Sequence, residues 1–187
     1  MQDFILGYMM GKQYKALKQK DIDFIKQQKV FFLASCSDYE VNLSPKGYEC
    51  IEVLDNETLL YLDYPGSGNR TYRDVMADGD FTLMFNAYEG KANITKLFCK
   101  AEVVAKEEER FEKYLEHFCV DASHVRQFFL FHIYAVETSC GDGVPYMKFE
   151  DERESLKEWT SKMADSGKLE QYMENHALPP VLKGLKG

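Results

Sequence analysis

The run Leu60-Tyr61-Leu62-Asp63-Tyr64-Pro65-Gly66-Ser67-Gly68-Asn69-Arg70-Thr71 has the residue types and spacing to bind an anion. An apolar strand leads into a glycine-rich turn, and the turn opens a helix. The first N–H groups of a helix lack intrahelical partners and lie at the positive end of its dipole, so an anion is favoured there. Ser67, Asn69 and Thr71 add neutral polar groups, and Arg70 can grip a phosphate through paired hydrogen bonds. The same residues also read as a tight corner with Asn69 as an ordinary N-cap. Upstream, Ser44-Pro45-Lys46-Gly47 ends a strand. Pro45 is expected to stop the ladder and Gly47 to permit a turn, displaying Ser44 and Lys46 at a barrel rim. Lys46 is then a second cation for the same anion, or a solvated surface lysine.

Two common phosphate loops do not fit. The dinucleotide fingerprint needs a third glycine where Thr71 stands, and strands precede this turn without intervening helices. The Walker pattern is absent. His117-x-Cys119 with His124 and His132 can be drawn as a metal cluster, but two-residue spacing near a helix end points side chains to different faces. They read as scattered residues, and no metal is expected. Cys140, beside glycine, is a small turn residue or a redox-sensitive thiol. No Ser-His-Asp spacing or paired carboxylates with an assignable role are present, so no catalytic residue is named.

The elements that must position these groups are mostly strands. Val30–Cys36, Val41–Leu43, Ile51–Val53, Thr58–Leu62, Phe81–Phe85, Ile94–Val104 and Phe128–Thr138 are short apolar or alternating segments bounded by turn signals. About seven such strands predict an antiparallel sheet closed into a barrel. Helices are expected over Ile22 and Ile25, capped by Asp21, and over Thr71–Ala77, with Gly79 in the C′ position. Others are expected from about Glu107 through Phe118, and on the stripes Leu156-Trp159-Met163 and Leu169-Tyr172-Met173-His176. Each stripe covers one face, for packing on the barrel or on a second subunit. The fold class is mainly β with flanking helices, as one domain over 1–187 with a lead (1–28) and C-terminal helices (150–177).

Composition narrows the function. Lys plus Arg is 23 against 31 Asp plus Glu, and the resulting net charge of −8 is a poor match to nucleic acid or an anionic membrane. No apolar stretch reaches the roughly 18 residues of a membrane span. Phe4–Met10 lacks a cationic flank and a small-residue cleavage site, so it reads as mature chain. Five cysteines without a C-x-x-C pair read as reduced thiols in the cytoplasm.

Taken in order, Ser44–Gly47, Gly66–Thr71 and Thr82–Phe85 resemble the pyridoxamine 5′-phosphate oxidase-related FMN-binding proteins, as do Glu89-Gly90, Ile94–Leu97, Ser139–Pro145 and Arg153–Trp159. The likeness spans roughly residues 20 to 160. It implies a split barrel that forms a homodimer, with FMN at the interface. By position, Lys46 and Arg70 would hold the phosphate, helped by Ser67, Asn69 and Thr71. Tyr61, Leu62 and Asp63 would run along the flavin ring. Asn93 and Ile94 would pass its pyrimidine side, and the Cys140–Val144 loop would come from the other subunit. Cys99 stands where the family pattern has glycine, and Lys96 where it often has arginine. The tail Leu178–Gly187 lacks the Arg and His that grip pyridoxamine phosphate in the true oxidase, so vitamin B6 synthesis is not expected. The reading is an FMN-dependent oxidoreductase of unknown small substrate. The alternative is a non-catalytic flavin or haem carrier or sensor, marked by a ring covered by side chains such as Tyr88 or Phe98.

Overall fold

The computed structural model describes residues 11–180 and residue 182. Both the Phe4–Met10 run and the tail residues Val181 and Lys183–Gly187 lie outside the described residues. The elements are β1 (Lys12–Tyr14), α1 (Gln19–Gln27), β2 (Phe31–Cys36), β3 (Asn42–Lys46), β4 (Ile51–Val53), β5 (Thr58–Asp63), α2 (Arg70–Met76) and β6 (Asp80–Asn86). There follow β7 (Ile94–Val104), α3 (Glu109–Leu115), a 3-10 turn (Ala122–His124), β8 (Gln127–Ser139), α4 (Ser155–Asp165) and α5 (Leu169–Asn175).

The eight strands form one antiparallel sheet in the order β3-β2-β6-β7-β8-β5-β4, with β1 also on β8. Along one edge β8 pairs with β7. Its other edge is shared, Gln127–His132 taking β5 and Val136–Thr138 taking β1. The pairing of β7 with β8 slips between Phe98 and Cys99. A slip of this kind bends a strand and sharpens its twist. The sheet curls into a split barrel with helices around it. At the slip, Cys99 is buried.

Aromatic residues on alternate positions of β8 serve two layers. Phe129 and Phe131 face the barrel interior, where Phe129 stacks on Tyr61 with ring centroids 6.0 Å apart and Phe131 meets Phe81 at 5.7 Å. Phe128 points the other way and is covered by Phe111, Tyr114 and Phe118 at 4.9, 6.2 and 5.8 Å. Phe128 is thus covered by α3 and the residues just after it. Burying each such ring contributes roughly 1.5–3 kcal/mol.

Three local expectations are corrected. Asp21 is not the cap of α1 but its third residue, reaching back to the Lys18 N–H at 2.9 Å. Pro45 does not stop the ladder; it lies within β3 opposite Phe32, on an edge strand where a missing N–H is tolerated. The left-handed residue after α2 is Asp78, φ 50°, not Gly79. A Cβ on Gly79 would stand 2.6 Å from the Cys36 carbonyl oxygen, so close packing is what excludes a side chain there.

Candidate functional site

Alternation along β5 sets the wall of the site. Tyr61 and Asp63 face one cleft, while Leu62 faces another on the far side of the strand. The backbone here is committed to the sheet: Leu62 N–H donates to the Cys50 carbonyl at 2.8 Å, and Asp63 O accepts from Arg126 N–H at 2.9 Å. The cleft on the Tyr61 side has a volume of about 770 Å³. It gathers Ser44, Lys46, Tyr61, Asp63, Ser67, Asn69, Arg70 and Thr71, from β3, β5, the glycine turn and the start of α2. Ligand clefts span roughly 300–1,000 Å³, so this one has room for a cofactor.

The turn is held from below by Arg126, just before β8, and by Gln127, the first residue of β8, both missed by the motif reading. Arg126, 9% exposed, donates to the Gly68 carbonyl at 3.0 Å and to the Gly66 carbonyl at 2.5 Å. Gln127 donates to Asp63 at 3.0 Å and to the Asn69 side-chain oxygen at 3.1 Å. Asn69 therefore does not cap α2 with its side chain; its amide donates instead to the Ala177 carbonyl at 2.8 Å. An arginine before an apolar strand carries no motif, so only the fold brings it to the turn.

Asp63 is buried, and burial pushes its carboxyl above the ordinary value, opposed by the charges of Lys46 and Arg126. Lys46 lies over the Tyr61 ring, 5.5 Å from its centroid. Burial also pushes the Cys50 thiol up to about 12, so it stays protonated at neutral pH. Arg70 reaches the cleft but is paired with Glu40, and it donates to the Pro180 carbonyl at 3.2 Å. Glu40 also holds Arg73 at 2.7 Å. An anion arriving at Arg70 must displace part of this pairing.

The other candidates lie elsewhere. Leu62 faces the second cleft, of about 900 Å³, with His117, Cys119 and His124. His132 is on β8 beside Glu102 at 3.5 Å. Among the described residues, no group of three His, Cys, Asp or Glu side chains is placed to hold a metal. Asn93, Ile94, Cys140 and Val144 line neither cleft. They sit together at the far end of β7 and β8, where Ile94 pairs with Ser139. Gly141 there has φ +73°, and a Cβ would stand 2.8 Å from the Asn93 nitrogen. Lys96 on β7 is paired with Glu137 at 2.9 Å. All five cysteines are free thiols, and no helix among the described residues is long and apolar enough to cross a membrane.

Comparison with known proteins agrees with this architecture. Residues 17–139 match the family model described as pyridoxamine 5′-phosphate oxidase. The chain is 30% identical over 139 residues to the pyridoxamine 5′-phosphate oxidase family protein ustO of Aspergillus flavus, covering 72% of this chain and 56% of that protein. It thus spans little more than half the length of that relative. Among solved structures, a Lactobacillus delbrueckii protein described as a pyridoxamine 5′-phosphate oxidase superposes with a TM-score of 0.52 at 18% identity, covering 66% of this chain and 98% of that one. HupZ of Group A Streptococcus gives 0.51 at 17% identity, covering 64% and 91%. The chain belongs to the pyridoxamine 5′-phosphate oxidase family and has its split-barrel fold.

Proposed function

We propose that this protein binds FMN in the 770 Å³ cleft and works as a flavin-dependent oxidoreductase on a small substrate. One observation carries the reading: Lys46, Arg70, Ser67 and Thr71 converge with the glycine turn on one wall, while Tyr61 and Asp63 form the next. That donor set suits a phosphate monoester, and the described residues offer one such cradle, which favours FMN over FAD. Bound there, FMN supplies the hydride or single-electron chemistry. Lys46, Arg70, Ser67 and Thr71 would hold its phosphate, and Tyr61 and Asp63 would form the wall beside it. The second cleft adjoins the first along Tyr48, Tyr64 and Phe149, leaving room for a substrate beside the cofactor.

In this proposal the active form is a cytoplasmic homodimer, and a second copy of the chain brings Asn93, Ile94 and the Cys140–Val144 loop to the ring. Family membership supports this, as does the placing of those residues away from the cleft at one end of β7 and β8. The absorption spectrum of the purified protein tests the cofactor. Oxidised-flavin bands, released as FMN on denaturation, are expected. A Soret band or a colourless protein that takes up no FMN would contradict it. Bleaching of the flavin by a reduced nicotinamide, and recovery in air, is expected of an oxidoreductase; a flavin that no donor reduces is the mark of a carrier.

A further inference from the structure

Arg126 stands apart from the other cations of this region. Lys46 and Arg70 lie on the cleft, and Arg70 already has the Glu40 carboxylate. Arg126 lies on the opposite side of the turn, buried, and among the described residues it contacts no carboxylate. Its two hydrogen-bonding nitrogens are spent on the Gly66 and Gly68 carbonyls, and its buried Nε has no partner. Its guanidinium makes no hydrogen bond to the Asp63 carboxylate, although the two backbones are bonded.

Those two bonds fix the turn's outer face. In a planar trans peptide the C=O of one residue and the N–H of the next point in opposite directions. With the Gly66 and Gly68 carbonyls drawn inward, the N–H groups of Ser67 and Asn69 face outward, the side on which both residues line the cleft. Neither N–H has an acceptor among the described residues. The guanidinium also leaves a positive charge in low dielectric beneath them, where its field is weakly screened.

We propose that Arg126 is the positioning residue of the phosphate cradle: it aims the Ser67 and Asn69 N–H groups into the cleft and supplies the fixed charge that selects a phosphorylated flavin over an unphosphorylated one. This rests on the reading of the cleft as a flavin phosphate site. It assigns the discrimination to a residue that touches no part of the ligand.

The test compares FMN with riboflavin by fluorescence titration of the full-length protein, as wild type, Arg126→Met and Arg126→Lys. Arg126→Met keeps the bulk and removes charge and donors; it should weaken FMN by about a hundredfold and leave riboflavin within about twofold. Arg126→Lys keeps the charge but cannot span both carbonyls, so it should recover about half of that loss on a logarithmic scale. A merely structural role would move both ligands together and show no graded rescue. Equal loss of FMN and riboflavin overturns the proposal, as does an unchanged preference in Arg126→Met. If Arg126→Met does not fold, Arg126→Lys decides: a reduced preference supports the proposal and a wild-type preference overturns it. A wild-type protein that binds FMN and riboflavin equally would instead defeat the phosphate-site reading itself.

Discussion

The two ends of β8 differ in how they hold their residues. At its start, Arg126 and Gln127 are buried and wired to Gly66, Gly68, Asp63 and Asn69, with Phe128 and Phe129 packed on either side immediately after. At its end the chain leaves the sheet into Cys140–Val144, where Cys140 is exposed and Gly141 packs on Asn93. The first end is rigid and wired to the glycine turn, and in the proposed function it is the floor of the phosphate site. The second is an unfinished surface whose proposed role needs another copy of the chain. A polar site meant to hold an ion is built on rigid elements with satisfied partners, whereas a site completed by association leaves its groups near solvent.

The largest effect is expected in the core beneath the start of β8. Phe129→Ala empties the stack on Tyr61 and should cost about 3–5 kcal/mol of stability, read as a large fall in denaturant midpoint. A fall of under about 1 kcal/mol would mean that the rigid end owes little to that stack.

Arg70→Ala is the next largest effect. Because Arg70 must give up Glu40 to take an anion, its removal should weaken FMN by about tenfold, near 1.4 kcal/mol, and leave riboflavin unmoved. The fold should survive, since the side chain is only partly buried. Glu40→Gln sharpens the same point in the opposite direction. Freed of its carboxylate, Arg70 should bind FMN a few-fold tighter, about 0.5–1 kcal/mol. Weaker FMN binding in Glu40→Gln would show that the pair orients Arg70 rather than competing with the phosphate.

The smallest effect concerns Asp63 and pH. Burial raises its carboxyl above the ordinary value. The folded state then binds the proton more tightly than the unfolded state, so this group's contribution is fully present at low pH. It is lost as pH rises from the ordinary carboxylate range through the raised value. Asp63→Asn abolishes that loss while keeping an oxygen for Gln127. Its stability relative to wild type should rise with pH across that window and level off above it. A relative stability that falls with pH would mean that the charges of Lys46 and Arg126 outweigh burial.

Much of the fold was legible because strand alternation and helical stripes reflect burial directly. Each of the seven expected strands is present, and β1, missed in the lead, is only three residues long. The glycine turn and Lys46 were legible from residue type, and they meet in one cleft. What sequence could not show was set by long-range contact. Arg126 lies 58 residues from Gly68, and Glu40 lies 30 residues before Arg70. Neither partner belongs to a local pattern. The capping reading of Asn69 failed for the same reason: Gln127 and Ala177, distant in sequence, take both ends of its amide.

Parallel equilibrium titrations of the wild-type protein with FMN and riboflavin show whether the Gly66–Thr71 turn holds a phosphate. FMN should bind tighter by at least about tenfold, the advantage shrinking as salt screens the charges of the cleft. Equal affinity for the two flavins, or a preference that salt does not touch, would contradict it.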